Sequence, residues 1–371
     1  MKVLFLCGSL EFGKDGVGDY TRCLAGELTM QGHEVQTVSI YDQFISAPCT
    51  EFFGPGDQIP AFRLPRNLND DELFRSCKDL IQKFRPDVIS LQFVPYSFHL
   101  KGLPLFFVRS LSRILKGQRV HIMFHELWLD DTGSFAQAIV KKLQKYIIRL
   151  LILKLRPVLV NVSIPFNHQR LQDIGVNSSL LNIYGNIPMR KTDAVLLGFD
   201  RVEALPVKIL YFGGSPRGSF LSLVLNELEV FCKARIHEVA VIVAGGTAAG
   251  KREFVNQLRN RLEKYGAKII AYDFLSPDSL SFLFSHCTIG IGRSEPYLLG
   301  KSGAAIAMLE HGLPVWLPKW SGAPHELTFE FRRHLVFNRL EDATSFKDRP
   351  SYYPMLPLVA QEFVLQFNSH E

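Results

Sequence analysis

The sequence predicts an α/β protein built from two doubly wound domains in series. Three observations carry that prediction. Short apolar runs alternate with amphipathic stretches along the chain, which is the βα signal of a parallel sheet. The alternation restarts after an unpatterned stretch between residues 188 and 206, which reads as an interdomain linker. A length of 371 residues, with 47% apolar and 21% charged composition, is enough for two buried cores.

Residues 3–7 form the first strand. Their apolar run stops at five, and Glu11, Lys14 and Asp15 follow, which argues against a signal peptide. A helix over 19–31 and a strand over 35–40 come next. A helix over 73–84 leads through Pro86 into a strand over 88–92, and the strand 120–124 ends at His125-Glu126. A long basic helix covers 134–155, then a strand 158–162, a helix 165–174 and a closing strand 180–186. The second series runs strand 209–212, helix 220–233, strand 239–244, helix 252–265, strand 268–271, helix 277–285, strand 288–291, helix 303–311 and strand 314–317. The expected domains are 1–188 and 207–345, with a terminal helix in 350–371 packing across the boundary.

Composition narrows the function. The formal charge of +6 suits anionic small molecules or an anionic membrane surface, and no nucleic-acid signature accompanies it. Cys7, Cys23, Cys49, Cys77, Cys232 and Cys287 are scattered without a C-x-x-C pair, which points to reduced thiols, a cytoplasmic setting and no metal site. The most apolar segment, 146–162, is broken by Arg149, Lys154, Arg156 and Pro157, too short for the ~20 apolar residues of a membrane span.

Three loops could hold a ligand. The loop from Gly8 to Gly18 contains Gly13 and Gly16 and opens a helix, so its backbone N–H groups could meet an anion; a plain βα turn accounts for it equally well. Residues 245–252 match G-x-x-x-x-G-K, but Arg252 stands where a magnesium-ligating hydroxyl belongs, which disfavours a P-loop nucleotidase. At the third loop, Lys301 supplies a point charge, and Ser302, Gly303 and Ala304 could present N–H groups to a diphosphate; the alternative is an ordinary helix start capped by Ser302.

These residues carry a resemblance over most of the chain. Gly16-Val17-Gly18-Asp19-Tyr20, Phe124-His125-Glu126, Tyr211-Phe212-Gly213-Gly214-Ser215-Pro216-Arg217-Gly218, and the helix ending Glu310-His311-Gly312-Leu313-Pro314 occur in an order and spacing similar to the retaining GT-B glycosyltransferases (group-4 glycosyltransferases). The resemblance implies two Rossmann-like domains with a central cleft. It implies a hexosyltransferase-like transfer of sugar from a nucleoside-diphosphate donor to a hydroxyl acceptor, in polysaccharide, glycolipid or glycoconjugate synthesis. Donor contacts would be Gly16, Gly18, Gly213, Gly214, Arg217, Lys301, Ser302, Gly303 and Ala304, with His125 near the donor sugar and Glu126 and Glu295 as substrate contacts. No metal or cofactor is implied beyond the nucleotide sugar. The sequence departs from the family at Leu299 and Ala307, where two glutamates are usual, and a binding or partner subunit with weakened catalysis is the alternative.

The basic helix adds a partner. Lys141, Lys145 and Arg149 share one face, with Lys142, Lys154 and Arg156 nearby and Ile139, Leu143, Ile147 and Leu150 on another. Such a helix, over 141–156, suits an anionic membrane surface and a lipid-linked acceptor, placing the chain peripherally on the inner membrane face; a solvated helix packing its apolar face on the sheet is the alternative.

Overall fold

A computed structural model describes residues 1–130, 134–189, 196 and 198–368. Two compact units emerge, Met1–Ile183 together with Leu356–Glu371, and Tyr184–Met355. Part of the expected linker (residues 190–195 and 197) lies outside the described residues.

The N-terminal unit is built on eight strands: β1 (Lys2–Cys7), β2 (Glu34–Asp42), β3 (Cys49–Phe53), β4 (Ile59–Pro65), β5 (Val88–Phe93), β6 (Val120–Phe124), β7 (Leu159–Val162) and β8 (Ser179–Leu180). Their order is β3-β4-β2-β1-β5-β6-β7-β8. All pairings are parallel except β3 with β4. β5 and β6 are buried at every position, as expected of strands covered on both faces. The helix Leu356–Asn368 belongs to this unit. Phe363 packs against Phe5 and meets His121 edge-on at 5.2 Å, so the end of the chain covers one face of the sheet.

The C-terminal unit is an all-parallel sheet of β9 (Val207–Phe212), β10 (Val239–Ala244), β11 (Lys268–Tyr272), β12 (Ile289–Ile291), β13 (Val315–Trp316) and β14 (Val336–Phe337), ordered β11-β10-β9-β12-β13-β14. The chain winds outward from β9 through β10 to β11, then returns to the other side of β9 with β12. That reversal opens a crevice between β9 and β12 at their carboxyl ends.

The N-terminal sheet departs from the sequence reading in two places, and the C-terminal sheet gains β14, to which the sequence reading assigns no strand. The segment 180–186 is not a continued strand, for pairing with β7 ends at Leu180 and Gly185 instead packs against the Ala307 backbone. Between Ile40 and Leu73 the sequence reading assigned nothing, yet a β3–β4 hairpin lies there. Its turn, Pro55–Asp57, is preceded by Gly54 at φ +78° and contains Gly56 at φ +62°, both in the left-handed region glycine tolerates. Helices Pro95–Phe98 and Leu105–Ile114 were likewise unassigned.

Candidate functional site

The C-terminal sheet gathers its polar side chains where the strand order reverses. β9 ends at Phe212, and Gly213 (φ +121°) donates its N–H to Ala244 O at 3.0 Å, closing the mouth of β9 onto β10. Gly245 and Gly246 follow β10 at φ +82° and +79°. A Cβ on Gly245 would lie 3.2 Å from Gly213 N, and one on Gly246 3.1 Å from Ser215 Oγ, so only glycines let the two loops nest this closely. Arg217 is extended and precedes the helix Gly218–Ala234, whose first turn has no side-chain cap. Its leading N–H groups remain available to an outside acceptor.

Gly214, Ser215, Arg217, Phe220, Thr247, Arg293 and Lys319 line a cavity of about 440 Å³ here. They come from the loops after β9, β10, β12 and β13, except Phe220, which stands in the first turn of the helix Gly218–Ala234. Arg293 lies against Gly213 and Gly214, its Nη1 3.0 Å from where a Gly214 Cβ would stand. Among the described residues neither Arg217 nor Arg293 has a carboxylate partner. Lys319 is paired with Glu295 at 2.7 Å and sits over the Phe220 ring. The cavity therefore presents two uncompensated guanidinium groups and an uncapped helix start, an arrangement suited to a polyanion.

The expected donor residues divide. Gly213, Gly214 and Arg217 belong to this constellation. Glu295 reaches its rim, holding Lys319. Lys301, exposed at the end of the turn Pro296–Lys301, and Ser302, Gly303 and Ala304 do not line the cavity; Ser302 caps the helix Gly303–Glu310 through Ala305 N. Leu299 and Ala307 are fully buried core residues. Sequence reasoning missed Arg293, Lys319, Ser215 and Thr247. Their signal was position alone, just after a strand on either side of the reversal.

The P-loop-like segment lends Thr247 to the cavity but not its lysine. Lys251 is 5% exposed, its ammonium donating to Tyr272 O at 2.8 Å and pairing with Asp273 at 2.9 Å. It locks its helix to the end of β11.

The N-terminal loop has the geometry of the plain βα turn, one of the two readings the sequence allows. Asp15 Oδ1 accepts from Val17 N (2.9 Å) and Gly18 N (2.8 Å), and Asp19 Oδ1 accepts from Gly13 N (2.9 Å). The N–H groups offered to a phosphate are thus satisfied by the chain's own carboxylates, both with pKa values raised by burial. Gly18 is needed for packing, since a Cβ there would lie 2.5 Å from Ser9 O, whereas Gly16 faces open space.

His125 follows β6 and is half-buried. Its backbone N–H donates to Phe93 O, its Nε2 lies 2.8 Å from Gln92 Oε1, and its ring meets Tyr20 edge-on at 4.8 Å. Burial, then the neighbouring His121, pushes its pKa down to about 3, so the imidazole is neutral near pH 7. Glu126 is exposed in the following loop.

No protein-family model matches the chain, and no curated protein matches it in sequence. Solved structures match in fold. Anabaena Alr3699/HepE in complex with UDP-glucose is 13% identical, with all of both chains covered and a TM-score of 0.59. The catalytic domain of starch synthase IV from Arabidopsis thaliana, bound to ADP and acarbose, is 11% identical, covering 100% of this chain and 98% of that one at TM-score 0.58. UDP-GlcNAc 2-epimerase from Methanocaldococcus jannaschii is 11% identical over all of both chains, also at 0.58. The chain therefore has the GT-B fold, two Rossmann-like α/β domains.

Proposed function

We propose that the protein is a glycosyltransferase that moves a sugar from a nucleoside-diphosphate donor to a hydroxyl acceptor. The observation that carries this is the cation cradle of Arg217, Arg293 and Lys319 around the uncapped start of the helix Gly218–Ala234, at the strand reversal of the C-terminal sheet. A departing diphosphate develops negative charge as the glycosidic bond breaks, and fixed positive groups stabilise that charge in the transition state. In this reading the chain's own cations supply the neutralisation without a metal. His125 and Glu126 contact substrate, and the stereochemistry is retention. The GT-B neighbours with UDP-glucose or ADP bound support a nucleotide donor.

The test is a transfer assay with a panel of nucleotide sugars and simple hydroxyl acceptors, following nucleoside diphosphate release and the anomeric configuration of the product. Release with a retained anomer is expected. Binding of a diphosphate without release from any donor would favour the second reading, a binding or partner subunit, which the buried Leu299 and Ala307 motivate.

The acceptor side of the proposal rests on the helix Phe135–Leu155. Ile147, Ile148 and Leu151 face the core, while Phe135 (83% exposed), Ile139, Leu143, Tyr146 and Leu153 form an outward apolar stripe. Ile147 thus does not share a face with Ile139 and Leu143 as the sequence reading had it. No acidic residue falls between 135 and 156, against Lys141, Lys142, Lys145, Arg149, Lys154 and Arg156. Leu100 and Phe106, on the segment before and the helix packed alongside, are also exposed. Among the described residues no helix is long and apolar enough to cross a membrane. We propose that this face rests on an anionic lipid surface and that the acceptor is lipid-linked.

A further inference from the structure

Five buried or half-buried polar side chains of the N-terminal sheet form one unbroken hydrogen-bonded row. His125 Nε2 lies 2.8 Å from Gln92 Oε1, and Gln92 Nε2 lies 2.7 Å from Ser90 Oγ. Ser90 Oγ is 2.8 Å from His121 Nδ1, and His121 Nε2 is 2.9 Å from Asn161 Oδ1. Ser90, His121 and Asn161 are fully buried and Gln92 is 1% exposed. Polar groups placed this deep must be satisfied, so the direction of each bond is constrained by the next.

The direction follows from two backbone carbonyls, which can only accept. Ser179 O takes Asn161 Nδ2 at 3.1 Å, and Leu180 O takes Gln366 Nε2 at 3.0 Å. Gln366 therefore turns its Oε1 to Asn161 Nδ2 (2.8 Å), and Asn161 turns Oδ1 to His121. An acceptor facing His121 Nε2 requires a proton on that nitrogen, so neutral His121 has a bare Nδ1. Ser90 must then donate to Nδ1, and its oxygen accepts from the Gln92 amide. That leaves Gln92 Oε1 facing His125, whose Nε2 must carry the proton.

We infer that Gln92, Ser90, His121 and Asn161 are positioning residues that fix His125 as its Nε2–H tautomer and present Nδ1 as an acceptor for a hydroxyl of the bound sugar or acceptor. Among the described residues Nδ1 has no protein partner. A neutral imidazole offering a lone pair selects a hydrogen-bond donor and gives no attraction to phosphate, which is consistent with an anion cradle that stands in the other unit. Gln366 makes the terminal helix part of the device, since it anchors the far end of the row. The tautomer stands independently of the transferase reading; only the identity of the ligand hydroxyl rests on it.

The test is long-range ¹H–¹⁵N NMR of the imidazole nitrogens in the full, ligand-free chain at pH 7, with His125 assigned by comparison with His125→Gln. In the wild type a protonated Nε2 and a bare Nδ1 are expected, one tautomer exceeding the other by about tenfold or more. Ser90→Ala removes the link that orients Gln92, and the tautomers should then come within about threefold of each other. A wild-type His125 carrying its proton on Nδ1 overturns the inference, as does a Ser90→Ala spectrum identical to the wild type. The wild-type spectrum decides the matter even where Ser90→Ala does not fold. Failure of every nucleoside diphosphate to bind would instead count against the transferase reading and leave this spectrum unchanged.

Discussion

Glu310 accepts the backbone N–H of Gly185 with Oε1 at 3.0 Å, and the same oxygen takes the N–H of Met355 at 3.1 Å. The C-terminal unit spans Tyr184–Met355, so one carboxyl group ties together its entering and leaving segments. Burial raises the Glu310 pKa to about 7, against the opposing pull of the two N–H bonds and Arg332.

A pH dependence follows. The group's folded pKa lies above its unfolded value, so the native state binds more protons between about pH 4.5 and 7. Its stabilising contribution is complete below that window and is lost as pH rises through it. Glu310→Gln keeps an accepting oxygen without the ionisation. Urea denaturation should show the variant gaining on the wild type by roughly 2–3 kcal/mol between pH 5 and pH 8. An equal effect at both pH values would show that Glu310 does not titrate as described.

Lys251 is expected to matter for stability alone. Removing it leaves Tyr272 O without its donor in a buried position, so Lys251→Ala should cost about 1–3 kcal/mol. Diphosphate affinity should stay within about twofold of wild type, because the ammonium is committed to the end of β11. Urea denaturation of this variant checks the first and calorimetric titration the second; a large loss of affinity would revive the P-loop assignment.

Co-sedimentation with lipid vesicles probes the outward stripe. The wild type should pellet with vesicles containing a third phosphatidylserine and much less with phosphatidylcholine alone, and 0.5 M salt should weaken the binding. Leu143→Glu, at an exposed position, should reduce binding about tenfold while leaving the melting temperature near wild type. Equal binding by the two proteins would remove this face from the account.

The legible parts of the molecule are those where burial writes a pattern. β10, Val-Ala-Val-Ile-Val-Ala, is buried throughout and reads as a strand without help. β3 has no buried residue and β14 has only two residues, both defined by hydrogen bonds to neighbours that a linear pattern does not contain. The site shows the same division. Gly213, Gly214 and Arg217 adjoin one strand and stand together in the sequence, whereas Arg293 and Lys319 reach the cavity only because the strand order reverses beside β9. At the glycine loop after β1, Asp15 competes for the same N–H groups as any ligand, which spacing alone does not reveal. Ser90 and Gln92 were visible as polar residues inside an apolar run, but their purpose emerges only with His121 and Asn161 alongside.

The most direct measurement of the central claim is a thermal-shift titration with UDP, GDP, ADP and dTDP in EDTA, on the wild type, Arg217→Ala, Arg293→Ala and Lys301→Ala. One diphosphate should stabilise the wild type without metal. Its affinity should fall about tenfold or more in Arg217→Ala and Arg293→Ala, and by much less in Lys301→Ala, which stands outside the cavity. If no diphosphate raises the melting temperature, or the shift survives both arginine substitutions, the cradle at the strand reversal is not a donor site and the proposed function fails with it.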